Sequence, residues 1–221
     1  MTAPRVALTF DNGPEPAATP GVLDVLRARG VAATFFVLGR KVADPAARSL
    51  AERARAEGHR IGNHSWSHAA PLGALPDDPR VAEAEIGRAQ DAIGDLSDPD
   101  RLFRPQGGGG ALGPHLLSRA ALDHLLRHRM TVVLWNAVPG DWRDPEGWPG
   151  RALAMCDRPD PVVLVLHDLP NGAMRHLDRF LGALLDRGAR FEAEFPDALV
   201  PIRRGEVTGA VDGYVAPGIA A

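Results

Sequence analysis

Seven short β-rich runs recur along this 221-residue chain, and stretches of helical periodicity separate most of them. The runs lie at residues 5–10, 33–38, 59–63, 101–104, 131–135, 162–166 and 190–192. Helical periods are expected over 21–29, 45–57, 79–96, 114–127, 146–156 and 173–186. Gly30, Gly58 and Gly188 stand where three of these helices should stop. Parallel neighbours need a helical crossover, so this rhythm argues for an α/β fold with about seven parallel strands. The near-continuous apolar character of the runs fits a sheet covered on both faces. Alternation alone leaves an open sheet and a closed barrel equally possible. No domain boundary is visible, so residues 1–204 are taken as one domain. The Gly-, Ala- and Pro-rich residues 205–221 are taken as a loose C-terminal tail.

Composition narrows the function. A net charge of −3 and a pI of about 6.2 lack the basic excess of a nucleic-acid binder. No apolar run approaches the ~18 residues of a membrane span. Cys156 is the only cysteine, which rules out an internal disulfide. No leader is visible before the first strand, and the expectation drawn is a cytoplasmic protein that binds neither nucleic acid nor membrane. Oligomeric state is open.

The informative pattern is where the reactive residues stand. Asp11 and Asn12 follow the first strand; Asn63, His64 and His68 follow the third. Arg104 ends the fourth, Asp141 and Trp142 follow the fifth, and His167 and Asp168 follow the sixth. In parallel α/β folds the loops after the C-terminal strand ends form the active face, so these segments should converge on one rim.

Each residue also has a plain reading. His64 and His68, four apart on a helical turn, could share a metal, but such pairs also occur on solvated helix faces. Asp11 before Asn12-Gly13-Pro14 is either a turn former or a general base. Arg104 at the end of a buried strand needs an anion, for which Asp11 is the candidate, unless it reaches solvent. His167 is either a satisfied core histidine or an acid poised near neutral pH, with Asp141 to orient it. His115, His124, His128 and His176 fall in helical stretches and read as surface residues. His59 and Cys156 read as structural.

The segments Thr9-Phe10-Asp11-Asn12-Gly13-Pro14, His64-Ser65-Trp66-Ser67-His68, Arg104-Pro105-Gln106-Gly107-Gly108, Asp141-Trp142 and Leu164-Val165-Leu166-His167 resemble, in order, the five motifs of the polysaccharide deacetylase family. This family is also known as the NodB-homology domain, or carbohydrate esterase family four. The resemblance spans residues 5 to about 192. It implies a deformed (β/α) barrel and a divalent-metal hydrolase, using zinc or else cobalt or nickel, that removes N- or O-acetyl groups from carbohydrate. It further implies Asp11 as base, Arg104 as its partner, His167 as acid and Asp141 as the group that tunes it. By the same resemblance His64, His68 and Asn12 are the metal ligands, the Gly107 N–H an oxyanion donor and Trp142 a hydrophobic wall.

The chain departs from the pattern in three places. Asn12 stands where the family has a second Asp, so the implied metal site lacks one negative charge and should bind metal weakly or not at all. Asn12-Gly13 is also prone to deamidation; conversion to Asp is a hypothesis that an unshifted peptide mass would count against. Gln106 and Gly107 replace the usual Pro and Tyr, and Val138 replaces an earlier Asp. Two alternatives follow. One is a metal-independent amidohydrolase on cyclic ureides or imides. The other is a glycan-binding descendant with weakened catalysis.

Overall fold

The computed structural model describes residues 3–217. Among them, the seven expected parallel strands are present: β1 (Arg5–Asp11), β2 (Thr34–Val37), β3 (Arg60–Asn63), β4 (Leu102–Phe103), β5 (Thr131–Val132), β6 (Val162–His167) and β7 (Arg190–Phe191). Two further strands, β8 (Ile202–Arg203) and β9 (Glu206–Val207), form an antiparallel hairpin that continues the sheet from β5. The order is β6-β1-β2-β3-β4-β5-β8-β9, with β7 paired to β1. Beyond β5 the backbone runs on to an isolated parallel bridge between Ala137 and Leu164 of β6. That bridge curls the sheet round on itself into the deformed barrel.

The helices are α1 (Thr19–Arg29), α2 (Gly39–Val42), α3 (Pro45–Ala56), α4 (Pro79–Ala82), α5 (Arg88–Ile93), α6 (Arg119–Arg127), α7 (Trp148–Cys156) and α8 (Leu177–Asp186). Local chemistry explains several boundaries. Asp44 caps α3 by accepting from the Ala46 and Ala47 N–H groups, with Pro45 in the first turn. Ser118 caps α6 by accepting from Ala121 N–H. This cap sets off the 3₁₀ turn at residues 114–116 from α6, where one helix over 114–127 was expected. The single helix expected over 79–96 is likewise divided. A π turn, Glu83–Gly87, separates α4 from α5, and a 3₁₀ turn ends the run. No helix among the described residues is long and apolar enough to cross a membrane.

Strand periodicity sorts the side chains. Val6, Leu8 and Phe10 of β1, with Val162, Leu164 and Leu166 of β6, join the core packed under α1, α7 and α8. The alternate residues Ala7, Val163 and Val165 join a second core that extends to α6. Thr9, Asp11 and His167 share the parity of that second set, so they point the same way at the strand ends.

The loose tail expected over residues 205–221 is corrected by the structure as far as residue 217; residues 218–221 lie outside the described residues. β8 and β9 are joined by Arg204-Gly205, both at positive φ (50° and 80°), the two-residue turn that suits a hairpin's twist. Val211 is buried, and Val215 bridges to Leu117. A two-residue strand pair around an Arg-Gly turn has too little periodicity to announce itself in sequence.

Candidate active site

The five motif segments meet in one cleft. Asp11, Asn12, His64, His68, Gly107, Trp142 and His167 all line it. Arg104 and Asp141 stand behind this lining, fully buried.

Asp11 and His167 are register partners on adjacent strands. Arg104 spans the barrel to reach Asp11. Its Nη1 donates to Asp11 Oδ1 at 2.9 Å and to Thr9 Oγ1 at 2.6 Å, and its Nε donates to Val133 O at 3.3 Å. The guanidinium also lies 4.0 Å from the Phe36 ring centroid. Thr9 Oγ1 in turn donates to Leu164 O at 2.8 Å. Burial pushes the Asp11 carboxyl up, but Arg104 beside it, with His64 and His167, leaves it below the ordinary carboxylate range. Asp11 is therefore ionised at neutral pH. The expectation of an Arg104–Asp11 pair matches this geometry, and the reading of Arg104 as a solvent-reaching cation does not.

Asp141 grips His167 twice. Its Oδ2 accepts from the His167 backbone N–H and its Oδ1 bonds the ring Nδ1, both at 2.9 Å. Burial works to lower the imidazole's pKa, but the Asp141 hydrogen bond and charge, aided by Asp11 and Asp168, raise it overall. Trp142 meets the His167 ring edge-on at 4.8 Å between centroids.

The histidine pair is not on a helical turn. Ser65 and His68 have positive φ (68° and 55°), and residues 64–68 form an irregular loop. Side chains hold that loop: Asn63 Oδ1 accepts from Ser65 N–H, and Glu85 accepts from the Ser67 N–H and hydroxyl. The rings nevertheless converge, with centroids 4.8 Å apart. Burial keeps both neutral, His64 with a lowered pKa and His68 pushed down to about 3. Neutral His64 can donate Nδ1–H to Arg104 O at 2.8 Å, which leaves Nε2 with a free lone pair. That Nε2 lies 3.7 Å from Asp11 Oδ2.

Asn12 sits beside them in the left-handed region, at φ 73°. Its Oδ1 is buried and has no hydrogen-bond partner among the described residues. An orphaned amide oxygen is costly unless something outside the chain satisfies it. Two neutral imidazoles and this oxygen form a donor set that fits a divalent cation, with one charge fewer than a carboxylate would supply.

The opposite lip of the cleft is glycine. A Cβ at Gly107 would collide with the Trp135 indole, so only glycine lets the loop lie this close. Trp135 Nε1 donates to Gly110 O at 2.8 Å, and His115 Nε2 bonds Gly107 O at 3.2 Å.

Residues outside the expected set also take part. Trp135, Val138, Val165 and Leu169 wall the cleft. Trp135 could have been found by the rule that located the rest, since it ends a strand run. The sequence puts Asp168 on the rim and gives it no role. It is turned inward and wholly buried, with Thr19 Oγ1 donating to its Oδ2. Thr19 Oγ1 also accepts from Glu15 N–H, which ties the loop after β1 to the end of β6. Burial raises the Asp168 carboxyl to about 7.

Comparisons with known proteins point to one family. The family described as polysaccharide deacetylase matches residues 1–131. The peptidoglycan-N-acetylglucosamine deacetylase PgdA of Listeria monocytogenes is 30% identical over 192 residues, 86% of this chain. This chain spans only 38% of PgdA's length. The chitooligosaccharide deacetylase of Rhizobium leguminosarum bv. phaseoli is 33% identical over 175 residues, 75% of this chain and 68% of that protein. A solved family 4 carbohydrate esterase from Streptomyces lividans, in complex with acetate, has a TM-score of 0.72 at 25% identity. The match covers 97% of this chain and 98% of that one.

Proposed function

Since this chain belongs to the polysaccharide deacetylase family, we propose that its cleft hydrolyses the acetamide of an N-acetylated sugar, releasing acetate and the free amine. One observation carries the reading most. An ionised carboxylate and a histidine held toward its protonated form share one cleft, each with a buried partner that sets its state. A binding module has no need of such a matched base and acid. The relatives named as a peptidoglycan-N-acetylglucosamine deacetylase and a chitooligosaccharide deacetylase, and the acetate in the Streptomyces neighbour, support the substrate class.

The proposed steps use this geometry. Arg104 occupies Asp11 Oδ1, so Oδ2 is the oxygen available to take a proton from the attacking water. The water oxygen bonds the acetyl carbon, and the Gly107 N–H stands as a donor to the oxyanion. His167, protonated and steadied by Asp141, gives its proton to the departing nitrogen as the C–N bond breaks. Trp135, Trp142 and Val138 keep water from the rest of the cleft and offer an apolar wall for the acetyl methyl and sugar face. His64 Nε2, His68 and Asn12 Oδ1 would hold a divalent metal, zinc with cobalt or nickel as substitutes. When bound, it polarises the acetyl carbonyl and acidifies water.

The test is a substrate panel of chito-oligosaccharides, acetylated xylan and cyclic ureides, run with and without chelator. Chelator-sensitive release of acetate from the chito-oligosaccharides is the expected result. Chelator-resistant opening of a cyclic ureide would move the cleft to metal-independent amide hydrolysis. Binding of sugar without turnover would leave a glycan-binding protein.

A further inference from the structure

A second group of metal-capable side chains stands on the outer ring of helices. Glu83, His124 and His128 each offer a ligand atom, and these atoms all lie within 4.8 Å of one another. None of the three lines the catalytic cleft; Glu83 and His124 line a separate hollow between the 79–93 helical run and α6. We propose that Glu83, His124 and His128 form a zinc-class metal site that clamps the C-terminal end of α6 to the π turn.

Three features of the site support this. His124 and His128 are one helical turn apart at the end of α6, and their rings stack with centroids 4.1 Å apart. Unlike the 64–68 loop, this pair does follow the i, i+4 geometry of a helix. The expectation that His124 is a surface residue is corrected here. It is 5% exposed and turned into the hollow.

Glu83 is brought to the pair by the π turn. Its Oε2 lies 3.8 Å from His124 Nδ1, too long for a hydrogen bond. Three ligand atoms within 4.8 Å of one another, with no hydrogen bond among them, are close enough for one ion to bridge. The carboxylate also lies over Gly87, where any Cβ would collide with Glu83 Oε1. The absence of a side chain at Gly87 therefore lets the carboxylate take this position. π turns inside helices recur at functional sites because they re-aim a side chain.

The surrounding charge permits a cation. Asp91 and Asp123 line the same hollow as Glu83. Of its three arginines, Arg80 is engaged by Asp78 at 2.6 Å and Arg88 lies 3.6 Å over the Trp66 ring centroid. Arg127 is the remaining cation at the rim. Two imidazoles and one carboxylate suit zinc, nickel or copper over calcium or magnesium.

The experiment uses the full chain with the catalytic pair removed, H64A/H68A, so that any bound metal belongs elsewhere. Equilibrium dialysis against zinc, with metal counted by mass spectrometry, should find one zinc per chain. Adding H124Q/H128Q should abolish it. E83Q, an exposed and shape-conserving change, should weaken it by at least roughly tenfold, the loss usual for groups that support a metal site. G87A should weaken it by displacing the carboxylate. Zinc should also raise the melting temperature of H64A/H68A and leave that of the E83Q version nearly unmoved. Absence of zinc from H64A/H68A overturns the proposal, and so does zinc that persists through both E83Q and H124Q/H128Q. Because the catalytic histidines are already gone, neither outcome bears on the deacetylase reading.

Discussion

The two walls that enclose the catalytic cleft are built differently. One wall is β1 and β6, seven and six residues long, paired along six successive registers. It carries Asp11 and His167. The other descends from β4 and β5, two residues each, and reaches the cleft through Gly107 to Gly110 and Trp135. On the first wall each reactive group is fixed by a buried ionic partner. On the second, position comes from shape, a glycine loop laid against an indole. The contrast suggests that proton transfer needs the wall that cannot move, and that substrate selection resides on the wall that can be remoulded.

The comparison predicts unequal losses. The largest effect should be Asp11→Asn, which removes the proposed base from the rigid wall with little change in shape. The turnover number should fall by about 10²–10⁴-fold with KM nearly unchanged. A loss confined to KM would move Asp11 from chemistry to binding. Next is Arg104→Met, which leaves Asp11 buried and unpaired and should cost about 3–5 kcal/mol of folding stability. Urea unfolding reads this directly, and an unchanged midpoint would mean that the pair does not hold the walls together. The pH dependence gives the sign. In the natural chain the Asp11 carboxyl is lowered, so its stabilisation is present above the unfolded carboxylate pKa and lost as pH falls through the lower folded value. Without Arg104, burial raises Asp11, and the variant should instead recover stability relative to the natural chain as acid protonates it.

Asp141→Asn should lower turnover by roughly 10²-fold and shift the profile. His167 must be protonated to donate, so activity is lost as pH rises through its raised pKa. Removing the Asp141 charge should move that alkaline limb to lower pH. A limb that stays put would mean that another group sets it. Asn12→Asp adds a ligand charge, and zinc competition should show tighter binding on the order of tenfold. Equal affinity in the two chains would exclude Asn12 from the ligand set. The smallest effect belongs to the remouldable wall. Trp135→Leu should raise KM by roughly fivefold, about 1 kcal/mol of ring contact, with turnover largely kept. A turnover loss as large as that of Asp11→Asn would erase the distinction between the walls.

Much of this was legible in order along the chain. Strand and helix periods are local properties, and a reactive residue just past a strand run can be located without coordinates. That is why Asp11, His64, His68, Trp142 and His167 could be expected on one rim and are found lining one cleft. Asn12 could be singled out because a single residue type changes the charge of a donor set.

What only the tertiary structure decided depends on partners distant in sequence. The residue order names Asp11 as Arg104's candidate partner and Asp141 as His167's, but the contacts themselves, spanning 93 and 26 positions, are consequences of barrel closure. The 64–68 loop adopts positive φ because Asn63 and Glu85 bond it, against the helical turn that its spacing suggests. His124 reads as a surface residue by period, yet packing against the π turn buries it. Periodicity reports how often a side chain faces inward, whereas closure and packing determine what it meets there.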